Sequence, residues 1–143
     1  MTSRVSIFAA AFWWGSLTSL GFLVVPMLFA NLGTPAVAGA MAAKLFSAQT
    51  WVGSACGVLL LIILSKKDDA VLATLSRTTA PFVIAGLLLA LLGEFGVAAR
   101  IVSARAEGGN LKLWHGIGTA LYVLQWLCAG AVLWRLSRQA PTA

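Results

Sequence analysis

The sequence predicts an all-α fold, an integral-membrane four-helix bundle, and three observations lead to it. First, the 143 residues are 60% hydrophobic and only 10% charged, against about 25% charged in an average soluble domain. Second, the apolar residues gather into four stretches, at about 5–32, 37–65, 79–102 and 111–136. Each reaches the ~20 residues that an α-helix needs to cross a hydrocarbon core of ~30 Å. Third, the stretches are continuous rather than alternating, which excludes a barrel. The length suits one transmembrane domain spanning residues 1–143.

The first stretch, Val5 to Leu32, carries no charge. Arg4 precedes it as in a secretory signal, but the stretch exceeds the ~7–15 residues of a signal's apolar region, so it is expected to stay as an anchor. Pro26 inside it removes a backbone hydrogen bond and predicts a kink. Gly15, Thr18, Ser19 and Phe22 share the face expected to pack. The link Asn31–Ala36 is short, so the first two helices should be antiparallel neighbours. The second stretch holds Gly53 and Gly57 in a G-x-x-x-G spacing, and lipid-embedded helices pack through such small residues. Lys44 is its one charge and lies about 180° around the helix from Gly53. It should snorkel to the head groups as an interface anchor.

The charged segment Ser65–Arg77 reads as a loop, with Val71, Leu72 and Leu75 able to share the face of a short interfacial helix. The third stretch aligns Gly86, Ala90, Gly93 and Val97 as a packing seam. Glu94 and Arg100 are its charges. The segment Ser103–Asn110 reads as an outer loop, and Asn110 as the N-cap of the fourth helix. That helix contains the chain's one histidine, His115, and its one tyrosine, Tyr122. They lie on a stripe with Thr119 and Trp126. Cys56 and Cys128 fall mid-helix, where two thiols make neither a zinc site nor an expected disulfide.

Orientation follows the basic residues of the flanks. With the N-terminus inside, Arg4, Lys66, Lys67, Arg77, Arg135 and Arg138 lie inside, and Arg100, Arg105 and Lys112 outside. Both termini are therefore expected inside. The net charge of +6 is spread over these flanks, and no soluble basic cluster points to nucleic acid.

On that topology Asn31, Lys44, Gln49, Glu94, Arg100, Lys112 and His115 all fall in the outer half. Ionisable groups within a span are costly and mark candidate sites. Glu94 lies within about 80° of the Gly86 seam and should face the bundle. Such a carboxylate must pair or take up a proton. His115 is the expected partner, buried between helices, with Tyr122 and Gln49 completing a ligand- or proton-handling cluster. Arg100 and Lys112 sit near enough to the surface to be interface anchors.

The segments Pro26–Phe29, Val37–Phe46 and Leu113–Gln125 resemble a family of four-helix bacterial membrane proteins of unknown function, similar to eukaryotic transmembrane protein 205. Pro26, Phe29, Ala38, Gly39, Leu45, Phe46, His115 and Gly116 carry the likeness. It implies a four-helix fold in a bacterial inner membrane and little chemistry, with eukaryotic relatives linked to metal-drug handling. A more distant likeness joins copper-resistance and haem-pathway proteins that use several histidines, where this chain has one.

Three functions compete: an accessory or assembly subunit of a larger membrane complex, a small transporter or metal-handling protein using Glu94 and His115, and a haem- or quinone-linked redox protein. The lack of a nucleophile motif or phosphate loop favours the first, with no enzyme activity, no metal and no cofactor expected. The second would need oligomerisation to build a path. In the third, His115 with Met27 or Met41 would ligate haem. The expected surroundings are the lipid bilayer and other membrane subunits, or further copies of the chain.

Overall fold

Four helices account for nearly all of residues 2–65 and 70–138, which the structure, a computed structural model, describes. Helix α1 is α-helical over Thr2–Ser19, widens to a π-helical segment at Leu20–Val24 and resumes as α-helix over Val25–Asn31. Helix α2 is Pro35–Ser65. Helix α3 runs Ala70–Leu91, passes through a π-segment at Leu92–Ala98 and ends as Ala99–Glu107. Helix α4 is Leu111–Ser137. All four are long and apolar enough to cross a membrane.

Each helix packs on the next, and α4 closes on α1. The turns are tight. Residues 32–34 join α1 to α2, and residues 108–110 join α3 to α4. Gly108 takes a left-handed conformation at φ 76°, which glycine adopts without a Cβ penalty, and caps α3. Asn110 is the N-cap of α4 as expected, its Oδ1 accepting from the Leu113 N–H at 3.0 Å.

Two boundaries differ from the sequence reading. Helix α3 begins at Ala70, so the segment before Thr79 continues the third span instead of forming a separate interfacial helix. Leu75 packs into the core. The expected loop over residues 66–69 lies outside the described residues, as do the side chains of Val71 and Leu72. At the other end α3 reaches Glu107, leaving three residues where a longer outer loop was expected. The alanines and arginines of Ala99–Glu107 are good helix formers, so the polar composition that suggested a loop does not end the helix. Pro26 stands just after the π-segment of α1. Proline has no N–H for the carbonyl four residues back, at Phe22, and its ring crowds that carbonyl. Phe22 lies inside the π-segment, and Pro26 opens the α-helical turn that follows. The widened turn is how the helix absorbs the proline.

The core is built on Trp13. Its indole is fully buried, with Leu17, Leu60, Val83 and Val132 in the same core cluster. Two glycines make room for it. A Cβ on Gly53 of α2 would lie 2.9 Å from Trp13 Nε1, and one on Gly86 of α3 would lie 2.7 Å from Cη2. Gly57 is a third notch, filled by Leu87 of α3 at 2.6 Å from an added Cβ. These glycines pack as expected, but Gly93 does not, having open space where its side chain would be. The face of α1 is also corrected. Gly15 meets nothing and Ser19 is exposed, while Thr18 and Phe22 meet Trp126 of α4. The buried stripe is Ser6, Ala9, Ala10, Trp13, Leu17 and Leu20. Shape decides here: the largest side chain enters where two neighbours have none.

Outside, large apolar side chains cover the surface, among them Phe8, Phe12, Trp51, Phe95 and Trp134. So much exposed apolar area has no place in water. With four spanning helices it puts the protein in a lipid bilayer.

Candidate functional site

A layer of polar side chains crosses the bundle at the level of Trp13. Ser16 Oγ donates to the Trp13 carbonyl at 2.9 Å, and Gln49 Nε2 donates to Ser16 Oγ at 2.9 Å. Thr50, the next residue of α2, donates to the Phe46 carbonyl at 3.1 Å. Gln125 of α4 reaches across toward Gly53, its Nε2 being 3.5 Å from the position of an added Cβ there. Two donors in this layer, Trp13 Nε1 and Gln125 Nε2, are buried without a hydrogen-bond partner. Unsatisfied donors are costly in a low-dielectric interior. Both converge on the glycine notch of α2.

Toward the turn end of the bundle, the two π-segments stand on α1 and α3. Such segments occur often at functional sites. Tyr122 of α4 packs against the first, its ring lying where a Gly21 side chain would be. Its hydroxyl donates to the Leu17 carbonyl at 2.7 Å, three residues before the π-segment. Phe46 of α2 meets the Tyr122 ring edge-on at 5.2 Å. Trp126, one turn further along α4, donates to Thr18 Oγ1 at 2.8 Å. Helices α1 and α4 are thus tied at two successive turns. Glu94 lies in the second π-segment, half-buried, and accepts from Ser47 Oγ of α2 at 2.6 Å. That short hydrogen bond ties α3 to α2.

The expected pairing of Glu94 with His115 is not what the structure shows. Among the described residues Glu94 is bonded to Ser47, and His115 is exposed on α4 with Nδ1 2.9 Å from the Leu111 carbonyl of its own helix. Because that oxygen can only accept, Nδ1 carries the proton and Nε2 points elsewhere. The stripe through His115, Thr119, Tyr122 and Trp126 splits. Its first two residues face outward, and its last two are half-buried against α1. The difference arises because Gly118, nearly in line, turns its bare backbone to Val97 and Ile101 of α3 and takes the place His115 would need.

Lys44, Arg100 and Lys112 are exposed, and Arg100 lies over the Trp114 ring at 5.6 Å. Arg105 of α3 reaches α2, with Nη2 3.1 Å from an added Cβ at Gly39. Cys56 and Cys128 are free thiols. Met27 and Met41 are exposed. No group of three or more His, Cys, Asp or Glu gathers among the described residues. Sequence reasoning picked out Gln49, Glu94 and Tyr122 but missed Trp13, Ser16, Ser47 and Gln125. A search for ionisable groups passes over neutral amides and hydroxyls. The signal that finds them is a glutamine deep in an apolar stretch, Gln49 or Gln125, facing a small residue.

Four spanning helices, tied by neutral polar layers, define a multi-pass membrane protein. By comparison with family models the chain belongs to the family described as a domain of unknown function, DUF4149, matched over residues 8–110. No curated protein and no solved structure matches it.

Proposed function

We propose that the chain is a non-catalytic accessory or assembly subunit of a larger complex in a bacterial inner membrane, with both termini on the cytoplasmic side. One observation carries this reading. On the turn end of α4, Lys112, His115, Gly116, Thr119 and Ala120 face outward. Beside them runs an open groove of about 480 Å³, lined by Asn110, Lys112, Leu113, Gly116, Ile117 and Ala120. Gly116 meets nothing of its own chain. A glycine and an alanine four residues apart let a second helix approach closely, and a histidine and a threonine beside them can bond to it. The outward-facing His115 ring can hydrogen-bond to a polar group on that helix. The polar layers of the bundle serve cohesion of the subunit, and the outward notch serves assembly. Kinship with eukaryotic transmembrane protein 205 belongs to the same proposal and rests on the motif residues around Pro26, Gly39 and His115.

The test is purification from native membranes in a mild detergent, with Gly116→Leu alongside. The expected result is that specific membrane subunits accompany the parent and are lost with Gly116→Leu, while the variant melts as the parent does. Two results would overturn the reading: a chain that elutes alone, or subunits retained by the variant. Haem absorbance in the purified protein would shift the choice to a redox role for His115.

A further inference from the structure

We infer that the groove between α1 and α4 near the chain termini is a binding site for one anionic glycerophospholipid. This groove is separate from the assembly notch and lies at the opposite end of α4. It holds about 390 Å³ and is lined by Trp14, Trp126 and Trp134 together with Gly130, Ala131 and Arg135.

The walls are built to stay in place. The Trp14 and Trp126 rings stack at 5.7 Å, and Phe22 meets Trp126 edge-on at 5.4 Å. Trp126 is further fixed by its hydrogen bond to Thr18. Gly130 lets Trp14 lie on α4, its Nε1 3.0 Å from the position of an added Cβ. A rigid aromatic trough open sideways to the bilayer accepts an acyl chain by shape and dispersion.

The polar groups match a lipid's upper part. Arg135 lies over the Phe82 ring at 4.7 Å, and Arg138, one turn on, lies over Trp134 at 5.9 Å. The two guanidiniums lie over aromatic faces, and the described carboxylates, Glu94 and Glu107, stand on the turn half of α3. A phosphate is the complement. From Arg135 up to Gly130 the helix rises about 7.5 Å, which brings the Trp14 indole N–H to the level of a phospholipid's ester carbonyls. Arg135 takes the phosphate, Trp14 the ester oxygen, and the trough one chain. Basic pockets between spanning helices recognise anionic head groups in this way.

The experiment is native mass spectrometry of the full chain released from detergent, with equal amounts of dioleoyl phosphatidylglycerol and dioleoyl phosphatidylcholine added. The parent should retain phosphatidylglycerol in preference. Arg135→Gln should lower that preference about fivefold, the effect of one basic residue near a membrane surface. Arg135→Lys should keep most of it. Arg105→Gln, which removes the same charge at the other end of α3, should leave it unchanged. Ala131→Phe, which fills the trough without touching Trp14's glycine seat, should lose both lipids. The site is overturned by a parent without preference, by equal losses in Arg135→Gln and Arg105→Gln, or by lipid retained in Ala131→Phe. A change in copy number in Ala131→Phe with lipid retention intact would also overturn it and make this face an interface between copies.

Discussion

At the scale of single residues, Glu94 shows how a carboxylate is accommodated within a membrane-spanning helix. Its partner is the hydroxyl of Ser47, 2.6 Å away on α2. Loss of either group leaves the other without this bond. Such pairs within membranes are worth about 0.6 kcal/mol on average and about 1.7 kcal/mol at most. Ser47→Ala and Glu94→Gln should therefore each lower stability by roughly that amount, and the double change should cost less than their sum. Glu94→Gln and His115→Gln should add, because the structure gives them separate partners. Thermal melting of the single and double variants in one detergent checks both cycles. Additive Ser47 and Glu94 effects, or coupling between Glu94 and His115, would contradict the geometry. The sequence marked Glu94 as inward-facing because its angle to the Gly86 seam is readable from helical periodicity. It could not mark Ser47, since a serine can bond to its own helix or across to another with no change in pattern.

At the scale of helices, glycines look alike in sequence and differ in what they face. Gly53, Gly57 and Gly86 are notches for Trp13 and Leu87, whereas Gly93 faces open space. A Cβ at Gly86 would meet an indole ring seated between two helices, and that ring has no free direction to move. Gly86→Ala should thus lower the melting temperature through overpacking, by about 1–3 kcal/mol. Gly57→Leu should be worse, since Leu87 already fills the notch. Gly93→Ala should be neutral or stabilising by up to about 1 kcal/mol, as alanine is the better helix former. A melt in which Gly93→Ala falls as far as Gly86→Ala would show that the π-segment depends on its glycine. The spans were legible because length and composition alone define them. The packing face of α1 was not, because the reading sought small residues where the structure buries the large Trp13. A complementary fit requires a bulge as well as a notch, and small-residue spacing reports only the notch. The ends of α3 were hidden for a different reason. Charge and polarity signal exposure to water and head groups, and a helix that leaves the membrane keeps its hydrogen bonds there.

At the scale of the whole molecule, the termini lie at one end of the bundle and the two short turns at the other, since each helix reverses the last. The remaining question is which end faces the cytoplasm. Basic residues in short flanks stay on the inner side during insertion. Arg4, Arg77, Arg135 and Arg138 lie toward the terminal end, and Lys66 and Lys67 fall in the sequence between α2 and α3. Arg100, Arg105 and Lys112 lie toward the turns. The proposed orientation places the turns outside, and with them the α4 notch that would receive a partner. The structure improves the choice of reporter. Gly109 is a poor site for an introduced cysteine, because its Cβ would stand 3.1 Å from the Ala104 backbone. Gly33 in the first turn has open space and ordinary backbone angles, and Ser137 is exposed at the end of α4. In intact cells an impermeant thiol reagent should label Gly33→Cys and leave Ser137→Cys unlabelled, with both labelled after the membrane is opened. The parent, whose Cys56 is buried and Cys128 half-buried, serves as the blank. Labelling of Ser137→Cys alone in intact cells would invert the molecule. The notch on α4 would then face cytoplasmic partners, and the aromatic trough at Arg135 would draw its lipid from the outer leaflet.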